Sequence, residues 1–187
     1  MRYHEGHKDQ TRRQILETAG KKFRKEGVEA VGLAGLMADA GLTNGAFYGH
    51  FKSKEDLLRH VIVQVFAERE ADIAALIASG GLEAGLRAYL SPEHRDNPGM
   101  GCPTAALVAE ISRHPKATRR LYTEKLDSAL QQLAMLIAPA NAEAAYPKAI
   151  AVFSLMAGAV QLARAVTDPE LSDKILSSAL DAALALV

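Results

Sequence analysis

The chain has 187 residues, 49% of them hydrophobic, with 22 Lys+Arg against 22 Asp+Glu. That is enough apolar material for a real core, and the neutral balance singles out no partner. A lone cysteine, Cys102, excludes an intrachain disulfide and fits a reducing compartment.

The opening residues, MRYHEGHKDQTRR, hold no apolar run and do not read as a signal peptide. The most apolar stretch, 149–163, reads as too short to span a bilayer and is flanked by Lys148 and Arg164. A cytoplasmic chain without membrane contact is the expectation. Charge is unevenly placed: residues 1–60 carry 11 basic and 8 acidic groups, residues 61–187 carry 11 and 14. A basic head on an acidic body is compatible with an anionic partner at the head.

Gly and Pro punctuate long Ala/Leu-rich segments, and alternating strand patterns are nearly absent, so the chain reads as all-α. A first helix is expected from Asp9, as N-cap, to Gly27, with Ile15, Leu16, Ala19 and Phe23 on one face. A short helix follows over Leu33 to Ala40 and ends at Gly41. Thr43 caps a third, Asn44 to His50. Ser53, with Asp56 three residues on, resembles a capping box and starts a long helix that breaks at Ser79-Gly80-Gly81. A short helix over 82–90 precedes a loop, 91–101. Helices are then expected from Pro103 to Arg113, from Pro115 to Ala138, from Ala144 to Val166, and from Asp168-Pro169 to the end.

Two short helices joined by Ala40-Gly41-Leu42-Thr43 form a helix-turn-helix pattern. The second is too short to stand alone. Phe47 and Phe51 are suited to anchor it, leaving Asn44, Gly45, Tyr48 and His50 outward, where such side chains bond base edges or phosphates. Lys52 and Lys54, beside the next helix N-terminus, offer charge and amides to a phosphate. Arg12 and Arg13, near the start of the first helix, are further DNA neighbours, while most of that helix's charges read as a solvated face.

The segment AGLTNGAFYGHFKSKEDLL, within Ile15 to Leu58, resembles the DNA-binding head of the TetR family of bacterial transcriptional regulators. The resemblance covers the first third of the chain. It implies a head over residues 1–52 and a ligand-binding, dimerising body over 53–187. It also implies a homodimer on a palindromic operator, with a small molecule in the body changing the spacing of the heads. Carried over by position, Thr43, Asn44 and Tyr48 touch double-stranded DNA, His50 supports them, and Lys54 holds a phosphate. The chain departs from the family at Gly32, where Thr or Ser often bonds a phosphate, leaving only a backbone amide there. Met37 stands where Ala is common. The third helix has no Lys or Arg, so guanine readout by an arginine fork is not expected from it.

Other signals are weaker. His4-Glu5-Gly6-His7 lacks the four-residue spacing of a zinc-protease helix and reads as a flexible tail. Cys102 precedes a helix start, where a thiol feels the helix N-terminus; an inert or ligand-facing cysteine is favoured over a redox sensor. The helix near 150–166 is apolar nearly all round and, with the last helix, reads as a dimer interface of four-helix-bundle form. Ile150, Phe153, Ala157, Val160, Leu176, Leu180 and Leu184 are its expected members. A ligand pocket is expected in the body, with Phe66, Tyr89, Cys102, Tyr122, Phe153 and Met156 as candidates. No catalytic residues, metal-spaced set or phosphate loop appears, so neither enzyme activity nor a cofactor is expected. The rival reading is a small all-helical ligand-binding protein or enzyme without sequence-specific DNA binding.

Overall fold

The structure is a computed structural model that describes residues 2–187, with side chains from Lys8 onward. The order is α1 (Arg2–Glu26), α2 (Leu33–Asp39), α3 (Asn44–Phe47), α4 (Lys54–Tyr89), α5 (Pro92–Asp96), a 3-10 turn (Pro98–Met100), α6 (Pro103–Ile111), α7 (Lys116–Ile137), α8 (Ala142–Ala165) and α9 (Pro169–Leu186). No strand occurs among the described residues, and the fold is all-α.

Several boundaries differ from the sequence expectation. The α1 backbone takes in residues 4–7, expected as a tail; the His4 and His7 side chains lie outside the described residues. The α3 helix stops at Phe47, three residues before His50, because the chain tightens there: the His50 and Phe51 amides both donate to the Phe47 carbonyl, at 2.9 and 3.0 Å. Thr43 occupies the N-cap but makes no side-chain cap bond. The Ser79-Gly81 break is a bend inside α4, where Gly81 takes φ 72°, a region open to glycine at no steric cost. The expected loop 91–101 is structured: Ser91 Oγ accepts from the His94 amide at 3.2 Å and Pro92 starts α5.

The caps follow the sequence more closely. Ser53 Oγ accepts from the Asp56 amide, and the Asp56 carboxylate accepts in return from the Lys52 amide, both at 3.1 Å. This is a capping box displaced one residue outward. Asp168 accepts from the Glu170 and Leu171 amides at 2.9 and 3.3 Å, with Pro169 at N1.

Apolar burial then fixes the assembly. One cluster joins Ile15 and Phe23 of α1, Leu36 and Met37 of α2, Phe47, Phe51, and Leu57 to Val65 of α4, and continues into Leu107, Ile111 and Tyr122. A second joins Leu86, Tyr89 and Cys102 to Val152, Met156 and Val160 of α8 and Leu176 and Ala183 of α9. At 24 residues α8 is longer than its most apolar run and, by length and composition alone, long enough to cross a membrane. Its Val152, Val160 and Ala163 are instead packed in the body against α4 and α9.

Candidate nucleic-acid interface and body cavity

The turn between α2 and α3 is built from backbone geometry. Gly41 adopts φ 66°, its amide donates to Ala38 O and the Leu42 amide donates to Met37 O, both at 2.9 Å. This double bond pattern closes a helix C-terminus only when the residue after it is left-handed, hence glycine. Gln14 of α1 secures the same turn, its Nε2 donating to Ala40 O at 2.7 Å.

On that frame α3 rests on two buried rings. Phe47 and Phe51 pack 5.7 Å apart and are sealed from solvent. Burying such a ring stabilises by about 2–3 kcal/mol, which a four-residue helix needs from its neighbours. The opposite face is open: Tyr48 is 67% exposed, braced edge-on against Phe47, and Thr43, Asn44 and Gly45 are exposed beside it. An added Cβ at Gly45 or Gly32 would meet nothing within 4 Å, so both positions offer bare backbone to an approaching surface.

The basic residues divide into two kinds. Arg13 and Lys52 are exposed. Arg12 and Lys54 are engaged with the protein: Arg12 Nη1 donates to His50 O at 2.9 Å with its guanidinium 4.4 Å over the Phe51 ring, and Lys54 Nζ donates to Glu29 O at 3.3 Å. Arg12 therefore braces the end of the reading segment. His50 is half-buried; burial, then the charges of Lys8 and Arg12, hold its pKa below the ordinary histidine value, and its Nδ1 has no partner. Neutral His50 is thus the form favoured near pH 7.

Bonds between residues far apart in the chain tie this head to the body. Glu110 of α6 accepts from the Val28 amide at 2.6 Å. Glu55 at the start of α4 is bonded by His114 Nδ1 at 2.8 Å and by the Thr118 hydroxyl. Burial raises Glu55, yet these two bonds together with the charges of His114 and Arg59 outweigh it and leave its pKa lowered. Their partners lie far along the chain, so no local pattern marks them.

The body encloses a cavity of about 150 Å³ between α4, α7 and α8. Phe66, Tyr89, Cys102, Phe153 and Met156 line it, with Ile73, Leu86 and Leu133. A dry cavity of about this size accepts a single aromatic ring. Tyr122 does not reach it, a correction to the expected set: its hydroxyl donates to Thr104 Oγ1 at 3.0 Å and its ring stands edge-on to Phe66 at 5.9 Å. Arg69, Glu70, Lys125 and Gln132 supply polarity to the walls. The Tyr89 hydroxyl is buried without a partner, and burial, with Cys102 adding to it, raises its pKa well above the ordinary value. Behind it, His94 Nδ1–H donates to Tyr89 O at 2.6 Å and His94 Nε2 accepts from the Cys102 amide at 2.8 Å. That pair of bonds requires the neutral ring, and burial lowers the His94 pKa to about 4.

The expected dimer residues are corrected in part. Val160 is 0% exposed, and Leu176 and Ala157 are also buried, so they fill the protomer's own core. Phe153, Leu180 and Leu184 are half-buried against the same cluster. Ile150 stays exposed, and the outward faces of α8 and α9 present Leu162, 60% exposed, and Leu171. A helix apolar on all sides does not reveal in sequence which side its own fold will cover.

A helix-turn-helix head with one face of α3 exposed, carried on an α-helical body, defines the class: a helix-turn-helix fold. Residues 15–61 match the family model described as "Bacterial regulatory proteins, tetR family". The head is 40% identical over 52 residues to the HTH-type transcriptional regulator AcrR of Shigella flexneri, covering 28% of this chain and 24% of that one. It is 42% identical over 53 residues to TtgR of Pseudomonas putida, covering 28% and 25%. The chain thus matches about a quarter of the length of these curated relatives. Over nearly the whole chain the fold is similar to a TetR-family regulator from Cytophaga hutchinsonii, with TM-score 0.78, 22% identity, and 95% of each chain covered. Residues 15–61 thus form a head similar to that of tetR-family regulators, and the chain as a whole is similar in fold to a TetR-family regulator.

Proposed function

We propose that the protein is a ligand-responsive transcriptional repressor that binds a palindromic operator as a homodimer and is released by a small molecule. The observation that carries this reading is α3, with Phe47 and Phe51 buried beneath it and Asn44, Gly45 and Tyr48 facing outward. In this reading Thr43, Asn44 and Tyr48 read bases, and Arg13 and Lys52 meet phosphates, with Lys54 joining them once it leaves Glu29. Arg12 and His50 position the reading segment. The chain acts in the cytoplasm, without enzymatic activity, cofactor or membrane.

The head comprises residues 1–52 and the body 53–187, with α4 serving both. Leu57, Leu58 and Val61 of α4 belong to the core of the head, and Phe66, Arg69 and Ile73 on the same helix line the cavity. From Leu58 to Ile73 is about 22 Å along a helix, a rigid link between the two sites. An effector in the cavity that favours one position of α4 selects one spacing of the two heads, and successive major grooves accept only about 34–36 Å. The dimer forms through the outer faces of α8 and α9, around Ile150, Leu162 and Leu171, where Gly158 allows close approach.

Selection of bound DNA from random duplexes tests the reading, repeated with a metabolite extract. The expected outcome is a palindromic sequence, bound with an affinity that falls steeply with salt and is weakened by extract fractions. A protein that binds no duplex at low salt is instead the small ligand-binding protein.

A further inference from the structure

A second cavity lies on the other side of α6, where the end of α1 meets the body. It is a cleft of about 410 Å³ whose walls include Arg24 and Lys25 of α1, Arg95 of α5, and Gln161 and Arg164 of α8. Four of these are cations, and no carboxylate lines the cleft. It sits twelve residues beyond Arg12, about 18 Å along α1, so it is well removed from the reading face of α3.

The guanidinium groups are built in rather than draped over the surface. Arg24 is only 6% exposed. Its Nε donates to Gly99 O at 2.9 Å, and among the described residues its terminal nitrogens make no bond. Arg164 donates from Nε to Arg95 O at 2.9 Å and from Nη2 to His94 O at 2.7 Å. Its remaining nitrogen, Nη1, is buried and unpartnered. In both side chains one edge of the fork holds a carbonyl of the α5 to 3-10 segment, and the other edge is unused. Burial holds both groups below the ordinary arginine pKa. Nearby carboxylates offset this charge only in part: Asp96 and Asp173 are bonded to Arg95, Asp96 also acts on Arg164 and Glu68 on Arg24, neither bonding it. A buried guanidinium nitrogen with no bonded counter-charge, such as Arg164 Nη1, is costly unless an anion completes it. Arginine forks suit the oxygens of a phosphate in particular.

We propose that this cleft is a phosphate-binding site that takes the phosphate or diphosphate end of a small molecule between α1 and α8. The bound group joins Arg24, on the helix that supports the reading head, to Arg164, on the helix of the body. Its occupation therefore restrains the head relative to the body, a consequence that rests on the regulator reading above, whereas the binding itself does not.

The test is thermal unfolding of the full chain in inorganic phosphate, inorganic diphosphate, ribose 5-phosphate and ribose, with ionic strength matched by chloride. Saturating diphosphate is expected to raise the midpoint by about 5 °C over chloride. A larger shift from ribose 5-phosphate than from the inorganic anions assigns the site to a phosphorylated metabolite; equal shifts assign it to the free oxyanion. Lys25→Gln removes an exposed cation, so the midpoint without ligand stays put and phosphate affinity falls about threefold. Gln161→Glu supplies the missing carboxylate: it raises the unliganded midpoint and weakens phosphate about tenfold or more. No shift beyond chloride, or the same shift in Gln161→Glu as in the natural chain, overturns the proposal. A phosphate shift in a protein that ignores duplex DNA keeps this site and removes the regulator reading. Effector-driven DNA release without any phosphate shift does the reverse.

Discussion

Phe47 in the head and Phe66 in the body are both aromatic rings on helices, and they have opposite surroundings. Phe47 is completely enclosed by α1, α2 and α4, whereas Phe66 is half-buried and turns part of its ring to the cavity. The head sets two very short helices, of seven and four residues, on large rings buried from solvent. The body joins helices of 22 and 24 residues, which hold their shape with a void between them. Short elements demand dense packing, and long elements tolerate space, so a cavity belongs in the body.

The largest effect that tests this contrast is the loss of one ring from each region. Phe47→Ala is expected to destabilise by about 3–5 kcal/mol and to abolish DNA binding, because it removes the one ring that α3 itself buries. Phe66→Ala is expected to cost about 1–2 kcal/mol, since it enlarges a void already present. Denaturant unfolding measures both, and equal losses would remove the distinction between a sealed head and an open body.

Histidines sharpen the same comparison. His94 in the body has a folded pKa of about 4, against about 6.5 unfolded, so between those values the unfolded chain binds a proton that the folded chain refuses. Stability then falls as pH drops from about 6.5 towards 4, by ~3 kcal/mol at the limit. His94→Gln is expected to flatten this slope when the two proteins are compared from pH 6.5 to 5. His50→Gln in the head, where the ring is only half-buried, changes it less. An identical slope in the natural chain and His94→Gln takes His94 out of the account.

How much of this was readable in the chain beforehand depends on the range of the contacts. The head was legible because Gly41, Phe47, Phe51, Ser53 and Asp56 act on residues a few positions away. The end of α3 was misplaced because the helix period continues through Tyr48 to His50 while the backbone tightens into a turn. Phe66, Tyr89, Phe153 and Met156 line the cavity as large side chains on the body helices, and Cys102 joins them from the start of α6. Tyr122 differed because Thr104, across the α6–α7 corner, offers its hydroxyl a partner. The cation cleft was invisible: Arg24, Arg95 and Arg164 are separated by about seventy residues at each step and meet only after folding.

The proposed dimer surface follows from the same distinction between core and face. Leu162→Glu puts a charge on an exposed side of α8 and is expected to give folded monomers in sedimentation. Val160→Glu, a substitution in the closed core, is expected to unfold the body instead. Dimers that persist in Leu162→Glu would place the interface elsewhere.

The smallest effects lie on the reading face itself. In the proposed reading Lys54 exchanges the Glu29 carbonyl for a phosphate, so its net contribution is one charge contact minus one hydrogen bond. Lys54→Ala is expected to weaken all duplexes alike, by about 1 kcal/mol, and to reduce the salt slope by about one. Asn44 is exposed and carries no such bond, so Asn44→Ala is expected to leave the salt slope unchanged and relax sequence preference by about 1 kcal/mol at one position. Measuring both variants on one operator and one random duplex separates the roles. If Lys54→Ala alters preference, or Asn44→Ala alters the salt slope, the division between a buried foundation, a phosphate grip and a base-reading face does not hold for α3.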